Sequence, residues 1–212
     1  IFRRVNQLGL DTDGNDADGQ CTLVVQDDGT VVSSGCGCFF QLGHGDQADQ
    51  ELPKVIEALR GKRAVQAAAG ETHSLVLMEG GQVFSSGYGS DGRLGHGDEQ
   101  EQLLPKLVDT LRDQRAVQVS AGTYHSLALT ESGRIFSWGS GNRGWLGHGD
   151  TENQRLPKLF AAFLGKQVVQ ISSGRVPDHM HRGGFLAATV FVGREEALQP
   201  SLGQRRHLTL RR

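Results

Sequence analysis

The sequence repeats itself at a fixed interval of 52 residues, and such a period restricts a chain to repeat architectures before any other feature is considered. The pentapeptide Leu-Gly-His-Gly-Asp occurs at residues 42–46, 94–98 and 146–150. The same step relates three copies of Leu-Pro-Lys, the first of which lies at 52–54, and no gap is needed anywhere between residues 21 and 174. Chance does not keep so many positions in one register. The chain therefore contains three copies of one structural unit.

Within each copy the hydrophobic pattern is that of short β-strands. In the second copy, apolar or alternating runs at 64–69, 73–78 and 82–86 are bounded by glycine or charged residues. The segment Glu79-Gly80-Gly81 between the second and third runs has the composition of a hairpin turn. We expect Pro105 to open a fourth short strand at 106–108. Four short antiparallel strands in a unit of this length predict an all-β fold made of β-propeller blades. A helical interpretation fits only stretches such as residues 55–60, where one turn would not alter this fold.

The repeated residues resemble the RCC1 (regulator of chromosome condensation) repeat. Residues 67–77 contain small residues, a glycine, two free positions, a histidine and then alternating aliphatic side chains, and 119–129 repeat this order. Residues 135–139, followed by the pentapeptide at 146–150, resemble the second half of that repeat. The resemblance covers residues 21–174 and implies RCC1-type propeller blades, about three of the usual seven. Kelch repeats have a similar period but fit less well, because the array contains a single Gly-Gly pair.

We interpret the shared positions as structural signatures of the repeat rather than as a site. Two copies depart from the pattern: Cys21 stands where the first copy should have histidine, and Pro177 stands there in the third. The signature residues are Gly70, His73, Gly122, His125, Gly174, Leu42, Gly43, His44, Gly45, Asp46, Leu94, Gly95, His96, Gly97, Asp98, Leu146, Gly147, His148, Gly149 and Asp150.

The repeat divides the chain into three regions. Residues 1–20 form a diverged segment with an acidic Asp/Gly loop, 21–174 hold the repeats, and 175–212 form an Arg-rich segment outside the pattern. We place the three repeats at 21–72, 73–124 and 125–174. Seven blades at this period need about 364 residues, so we expect either a fragment of a larger propeller or ends that are capped. The apolar run 185–192 is long enough for one capping strand, and uncapped terminal blades predict self-association.

The repeated histidines invite a metal or acid–base interpretation, which the repeat geometry disfavours. His44, His96 and His148 each precede an aspartate by two residues, but equivalent positions of successive blades diverge around a ring, whereas zinc needs its ligands around one point. His73 and His125 each open a strand beside small residues, which predicts buried, hydrogen-bonded core histidines. We therefore predict no catalytic residue and no bound metal or cofactor.

Two further candidates carry weak signals. Cys36-Gly37-Cys38 offers two thiols that suit a soft metal, but there is no second pair, so we expect ordinary turn cysteines. Asp11, Asp13 and Asn15 fit the first positions of a calcium loop, yet the sixth position of the loop is aspartate and the twelfth is threonine, which favours a solvated acidic turn.

Composition limits the compartment and the partners. Three cysteines are an odd number, which argues against a secreted disulfide framework and favours an intracellular protein, cytoplasmic or nuclear. No run of 18 apolar residues occurs, so we expect no membrane partner. The net charge of −2 predicts no general affinity for nucleic acid, although residues 175–212 carry +4 and give one route to RNA, DNA or chromatin.

The resemblance implies three classes of function, since a fold alone does not specify one. We expect a non-enzymatic protein–protein interaction module, often part of a larger protein such as a ubiquitin ligase of the HECT-and-RCC1-like group. The alternative is guanine-nucleotide exchange on a Ran-like small GTPase. An ultraviolet-sensing propeller is disfavoured, because the residues before the repeat histidines are Thr72 and Tyr124 and the chain has only two tryptophans.

Overall fold

The computed structural model describes residues 4–6, 21–166, 168–174 and 188–192, and for residues 4–6 it describes the backbone. Their regular structure is entirely β-strand apart from single 3-10 turns. The strands are β1 (Arg4–Asn6), β2 (Cys21–Val25), β3 (Val31–Gly35), β4 (Gln50–Val55), β5 (Ala64–Ala69), β6 (His73–Met78), β7 (Val83–Gly87), β8 (Gln102–Leu107), β9 (Ala116–Ala121), β10 (His125–Thr130), β11 (Ile135–Gly139), β12 (Gln154–Leu159), β13 (Val168–Ser173) and β14 (Ala188–Val192). The 3-10 turns are Glu57–Leu59, Ser90–Gly92, Asp109–Leu111, Asn142–Gly144 and Ala161–Phe163.

Strands β1 to β12 form three antiparallel sheets of four strands, ordered as they occur in the chain. The first sheet contains β1–β4, the second β5–β8 and the third β9–β12, while β13 and β14 pair with each other. Each sheet is a blade, so the prediction of an all-β fold made of four-stranded antiparallel propeller blades is confirmed. The second sheet runs from residue 64 to residue 107. Its first strand therefore comes from the stretch placed in the first repeat, and its other three strands come from the second repeat.

The fourth strand of each sheet begins earlier than the sequence pattern indicates. In the second sheet it is β8, which starts at Gln102 and contains Pro105, so the prediction that the proline opens a strand at 106–108 is wrong. Proline lacks an amide hydrogen and is tolerated on an edge strand, where that hydrogen would have no partner in the sheet. The one helical turn allowed at 55–60 is the 3-10 turn Glu57–Leu59.

The first strand of the second sheet is joined to that of the third, and the third to β13, by a glutamine side chain that bonds to the backbone of the next strand. The Gln66 side chain donates from Nε2 to the Val119 carbonyl at 2.9 Å and accepts from the Val119 amide at 3.0 Å. Gln118 makes the same pair of bonds with Ile171, at 2.7 and 2.9 Å. The first strands therefore lie closest together, as the inner strands of propeller blades do.

The hydrophobic core lies between successive sheets. Leu75 and Leu77 of β6 are fully buried and share a cluster with Val119, Ala128 and Trp138 of the third sheet. Each fully buried aliphatic side chain of this kind stabilises the fold by about 1.5–3 kcal/mol. This packing fixes the angle between adjacent blades and so the relative positions of the loops at their ends.

The segments outside the repeats contribute strands where the structure describes them. Strand β1 completes the first sheet, and β14, which lies within the predicted strand at 185–192, pairs with β13 along its edge. The acidic turn at Asp11, Asp13 and Asn15, Pro177 and most of the Arg-rich segment lie outside the described residues. Among the described residues, the helical segments are 3-10 turns of three residues, none long and apolar enough to cross a membrane.

Candidate functional site: the loop end of the blades

The long glycine-rich loops and the residues before β6 and β10 meet at the same end of the sheets. We call this the loop end and the opposite end, with the tight hairpin turns, the hairpin end. The loop end comprises residues 36–49, 70–72, 88–101, 122–124 and 140–153, and the hairpin end includes the turns at 26–30, 79–82 and 131–134.

Each pentapeptide histidine is held by a serine from the third strand of its own sheet. The distance from histidine Nε2 to serine Oγ is 2.9 Å in the first and second sheets and 3.0 Å in the third. Each serine donates its single proton to the carbonyl of the pentapeptide leucine, so the histidine must carry the proton on Nε2. The pairs are Ser33 with His44, Ser85 with His96 and Ser137 with His148.

Burial favours the neutral form of these three histidines, which lie in three separate loops. Burial lowers the pKa of His96 to about 4, with a further contribution from Lys106. Burial is also the main cause of the lowered pKa values of His44 and His148. Among the described residues, no three His, Cys, Asp or Glu side chains are grouped as a metal site requires.

The signature His73 of the second sheet makes a hydrogen bond with the third sheet. Its ring is fully buried, and its Nε2 lies 2.9 Å from the Ser126 hydroxyl, which donates its own proton to the Arg93 carbonyl at 2.8 Å. His73 therefore donates from Nε2, and burial holds the pKa of its ring well below the ordinary value. Ser126 belongs to the third sheet, so it links this histidine to the backbone of the loop at Arg93, which lies in the histidine's own sheet.

Cys21, which replaces the histidine of the first copy, occupies the equivalent place. It is 3% exposed and hydrogen-bonds with Ser74, whose hydroxyl donates to the Gln41 carbonyl at 2.7 Å. Burial raises the pKa of this thiol to about 12, so it remains protonated and donates. The substitution of cysteine for histidine thus keeps the bond between adjacent sheets.

The remaining signature positions surround these rings. His125 is fully buried in the third sheet. A Cβ atom on Gly70 would lie 2.6 Å from His73 Cε1 and 2.6 Å from the Gly122 carbonyl, so no larger residue fits beside the histidine. Gly122 lies against His125 in the same way, with the Gly174 carbonyl 3.2 Å from its Cβ position.

A row of aromatic side chains runs across the loop end, and sequence reasoning missed it. Phe39 and Tyr88 lie with ring centroids 5.6 Å apart, and Tyr124 stacks on Trp145 at 5.8 Å with an interplanar angle of 9°. The guanidinium carbon of Arg93 joins the two pairs, 5.4 Å from the Tyr88 ring and 5.2 Å from the Tyr124 ring. We call these five side chains the aromatic row.

Arg93 is held in the row by contacts with three segments. It is 3% exposed, pairs with Asp91 at 3.2 Å and donates to Thr72 Oγ1 at 2.8 Å and to the Thr123 carbonyl at 3.3 Å. Burial lowers the pKa of Arg93, and Asp91 opposes that shift. The four aromatic rings, by contrast, remain partly accessible, and Tyr88 is 36% exposed. The row is therefore a surface of partly accessible aromatic rings held in place by the buried, positively charged Arg93.

One sequence signal could have indicated part of this row, although the sequence analysis did not use it. The residue before each pentapeptide is Gln41, Arg93 or Trp145, so large planar side chains repeat at one position of the period. Tyr124 occupies the free position before the signature His125, but the pattern alone does not show that it meets Trp145.

Comparison with known proteins identifies the repeat. The family described as "Regulator of chromosome condensation (RCC1) repeat" matches residues 28–77, 80–129 and 132–175. The chain is 37% identical over 149 residues to the E3 ubiquitin-protein ligase HERC2 of Homo sapiens and 37% identical over 145 residues to the ultraviolet-B receptor UVR8 of Arabidopsis thaliana. These alignments cover 69% and 68% of this chain but only 3% of HERC2 and 33% of UVR8, so the chain spans a small part of either relative.

Solved structures agree with the fold. Prp20p from Saccharomyces cerevisiae, described together with its binding properties to Gsp1p and histones, superposes with a TM-score of 0.66 at 24% identity, over 73% of this chain and 40% of that one. Human WBSCR16 gives a TM-score of 0.64 at 28% identity with the same coverage. From the three matched repeats and the three blades that they form, the chain belongs to the RCC1 repeat family.

Proposed function

We propose that this chain is a non-enzymatic protein–protein interaction module of a longer RCC1-type propeller or multidomain protein, and that it contacts its partner with the loop end. The aromatic row carries this proposal. Tyrosine, tryptophan and arginine are the residues that most often dominate the binding energy of protein interfaces. Here they are collected on one surface, with the partly accessible faces of Tyr88, Tyr124 and Trp145 around the buried Arg93.

The backbone beneath the row supports a role in binding because it is fixed before a partner arrives. The Arg93 carbonyl is bound by Ser126, and the Gly141 amide donates to Asn153 Oδ1 at 3.0 Å. Asn153 in turn donates to Asp91 at 2.9 Å, which ties the loop of the third sheet to that of the second. A surface that needs little ordering loses less free energy on association.

The histidines support the non-enzymatic part of the proposal. A general base must reach a substrate proton in an accessible site. The Nε2 atoms of His44, His96 and His148 are each occupied by a serine, and His73 is fully buried. Their hydrogen bonds serve the blades themselves.

A photocrosslinking residue placed at position 88 of the full chain, expressed in cells, tests the proposal. The matched control carries the same residue at Val117, which is 50% exposed but lies outside the loop end. We expect discrete protein adducts from position 88 and few from position 117. Trp145→Ala should reduce the adducts at position 88 because it removes the neighbour of Tyr124. Equal adducts from the two positions, or none from position 88, would contradict the proposed surface.

The alternative function is exchange of guanine nucleotide on a Ran-like small GTPase. Its support is the similarity to Prp20p, whose description names Gsp1p, but at 24% identity that similarity concerns the fold. We expect no appreciable release of labelled GDP from a Ran-type GTPase when this chain is added. A hundredfold acceleration, equivalent to roughly 2.7 kcal/mol off the barrier, would favour exchange over the interaction module.

The finer assignments are also proposals. Similarity to HERC2 supports a place within a HECT-and-RCC1-like ubiquitin ligase. The odd number of cysteines favours an intracellular location, cytoplasmic or nuclear. Self-association through terminal blades is a second kind of protein partnership. Sedimentation of the purified chain distinguishes self-association from binding to another protein.

A further inference from the structure

Two thiols lie almost in bonding contact in the first loop of the loop end. Cys36 and Cys38 flank Gly37, and their Sγ atoms are 2.8 Å apart. The bonded distance in a disulfide is about 2.05 Å, so the sulfur atoms need to move less than an ångström to join. Both residues are partly accessible, and both are free thiols in the structure.

The loop holds the two thiols on the same side. The Gly37 amide donates to Asp49 Oδ1 at 2.8 Å, and a Cβ atom on Gly37 would lie 2.4 Å from the Ala48 carbonyl. Gln47 binds the Cys38 carbonyl from the same segment at 2.9 Å. Because the backbone is fixed on both sides of Gly37, the proximity of the sulfur atoms follows from the loop rather than from a chance side-chain rotation.

The fold does not require thiols at these positions. The equivalent loops of the second and third sheets place Tyr88 and Ser90, and Ser140 and Asn142, around the corresponding glycine. The third cysteine, Cys21, has a different situation, because it is buried and bound to Ser74. The pair is therefore an addition to a loop that forms without it.

We propose that Cys36 and Cys38 form a redox-active dithiol whose substrate is a low-molecular-weight disulfide of the glutathione class. One cysteine thiolate attacks a sulfur of the small disulfide, forms a mixed disulfide and releases one small thiolate. The second cysteine then attacks the protein sulfur of that mixed disulfide and releases the other small thiolate. The protein dithiol loses two electrons, the small disulfide gains them, and the two cysteine protons end on the two small thiols.

The site goes beyond the interaction function because the exchange needs no protein partner. It nevertheless lies at the end of the aromatic row, since Phe39 follows Cys38 directly and contacts Tyr88. Closing the disulfide changes the side chain next to the first ring of the row.

The rate of closure should rise with pH. Burial raises the pKa of Cys38 to about 11, and Cys36 and Asp49, which face it, act in the same direction, while Gln41 opposes them. Cys21 is the further titratable group near Cys36. Because the thiolate is the attacking species, exchange that begins at Cys38 should quicken roughly tenfold for each pH unit below that pKa.

The test incubates the full chain in glutathione buffers of increasing oxidised fraction, blocks the remaining thiols by alkylation and digests the chain before aspartate. The peptide 28–45 then contains Cys36 and Cys38 but not Cys21. We expect this peptide to lose two hydrogen masses as the oxidised fraction rises, while Cys21 stays alkylatable after unfolding. Cys36→Ser and Cys38→Ser should instead accumulate a mixed disulfide with glutathione, and Cys21→Ser should behave like the unaltered chain.

The result from the unaltered chain decides the matter even where a variant folds poorly. A peptide 28–45 that stays reduced under conditions that oxidise a thioredoxin control would overturn the proposal. Persistent mixed disulfides on the unaltered chain, or a bond from either cysteine to Cys21, would overturn it as well.

Discussion

The boundary between the first and second sheets and the boundary between the second and third occupy equivalent places in the repeat, yet they use different side chains. At the first boundary Cys21 binds Ser74, which binds the Gln41 carbonyl. At the second boundary His73 binds Ser126, which binds the Arg93 carbonyl. The donor differs while the serine and the carbonyl are retained, so the repeat requires a buried donor rather than an imidazole.

Gln41 and Arg93, whose carbonyls accept these bonds, have equivalent backbone positions but different side-chain contacts. The Gln41 side chain accepts from the Phe39 amide at 2.9 Å, a bond within its own loop. Arg93, at the same position of the period, reaches between Tyr88 and Tyr124. The backbone of the loop is constrained by the blades, whereas its side chains vary. If the loop end binds a partner as we propose, its side chains would carry the specificity of that binding.

The largest effect is expected from removing the donor of the second boundary. His73→Ala should lower the free energy of unfolding by about 2–4 kcal/mol, because it opens a cavity and leaves the Ser126 oxygen without its donor. Cys21→Ala at the first boundary should cost about 1–2 kcal/mol, because the side chain that is lost is smaller. Urea titration of both variants measures the difference.

His73→Cys transfers the donor of the first boundary to the second and sharpens this comparison. It should be less destabilising than His73→Ala by about 1 kcal/mol, since the thiol can donate to Ser126. Unchanged midpoints in all three variants, combined with lost crosslinking at position 88, would show instead that His73 is a binding residue.

The second prediction makes the second boundary resemble the first. Arg93→Gln should lower the free energy of unfolding by about 1–2 kcal/mol, because two cation–π contacts and the pair with Asp91 are lost. It should also weaken partner crosslinking from the probe at position 88 more than its effect on stability explains. The control is Gln41→Ala, which alters the equivalent position outside the stack. Equal crosslinking by the Arg93→Gln chain and the unaltered chain would remove Arg93 from the interface.

The sequence predicted the blades because their pattern is local. The alternation from His73 to Met78, the glycines and the 52-residue step can be seen along the chain without knowing which segments pack together. Strand β6 has the bounds that this alternation predicts. The start of β8 was missed because an edge strand accepts Pro105 without a local signal. The aromatic row was missed for another reason. Tyr124 meets Trp145 only after the strands of the third sheet have paired, and Tyr88 joins them through Arg93 only after the second and third sheets have packed together.

The third prediction uses pH to compare the pentapeptide histidines. The pKa of His96 is lowered to about 4 in the folded chain, against about 6.5 when unfolded. The unfolded chain therefore binds a proton that the folded chain does not, so this contribution to stability is present above pH 6.5 and is lost as the pH falls towards 4. Because the ring is partly exposed, the loss should be only about 1 kcal/mol.

The variant His96→Gln isolates this contribution, since glutamine can still donate to Ser85 but does not titrate. Its free energy of unfolding should depend less on pH between 7 and 4.5 than that of the unaltered chain, as measured by urea titration at each pH. His44→Gln should have a smaller effect, because the lowering of the pKa is large only at His96 among the three. Identical pH profiles for the His96→Gln and unaltered chains would contradict the burial of this ring.

The smallest effect is expected from the ion pair between Arg155 and Glu99 at the second boundary. Arg155 Nε lies 2.9 Å from Glu99 Oε1 across the second boundary, and the two side chains are 60% and 44% exposed. The first boundary has Leu103 in place of the arginine, yet its backbone makes the same bond: Gly45 donates to the Leu103 carbonyl as Gly97 donates to that of Arg155, at 3.0 and 2.9 Å. The pair is thus added to a contact that already exists without it.

Arg155→Leu should change the free energy of unfolding by less than about 0.5 kcal/mol, because exposed ion pairs usually contribute little. A loss of more than 1 kcal/mol that disappears in high salt would show that charge, rather than the shared backbone bond, holds these loops together.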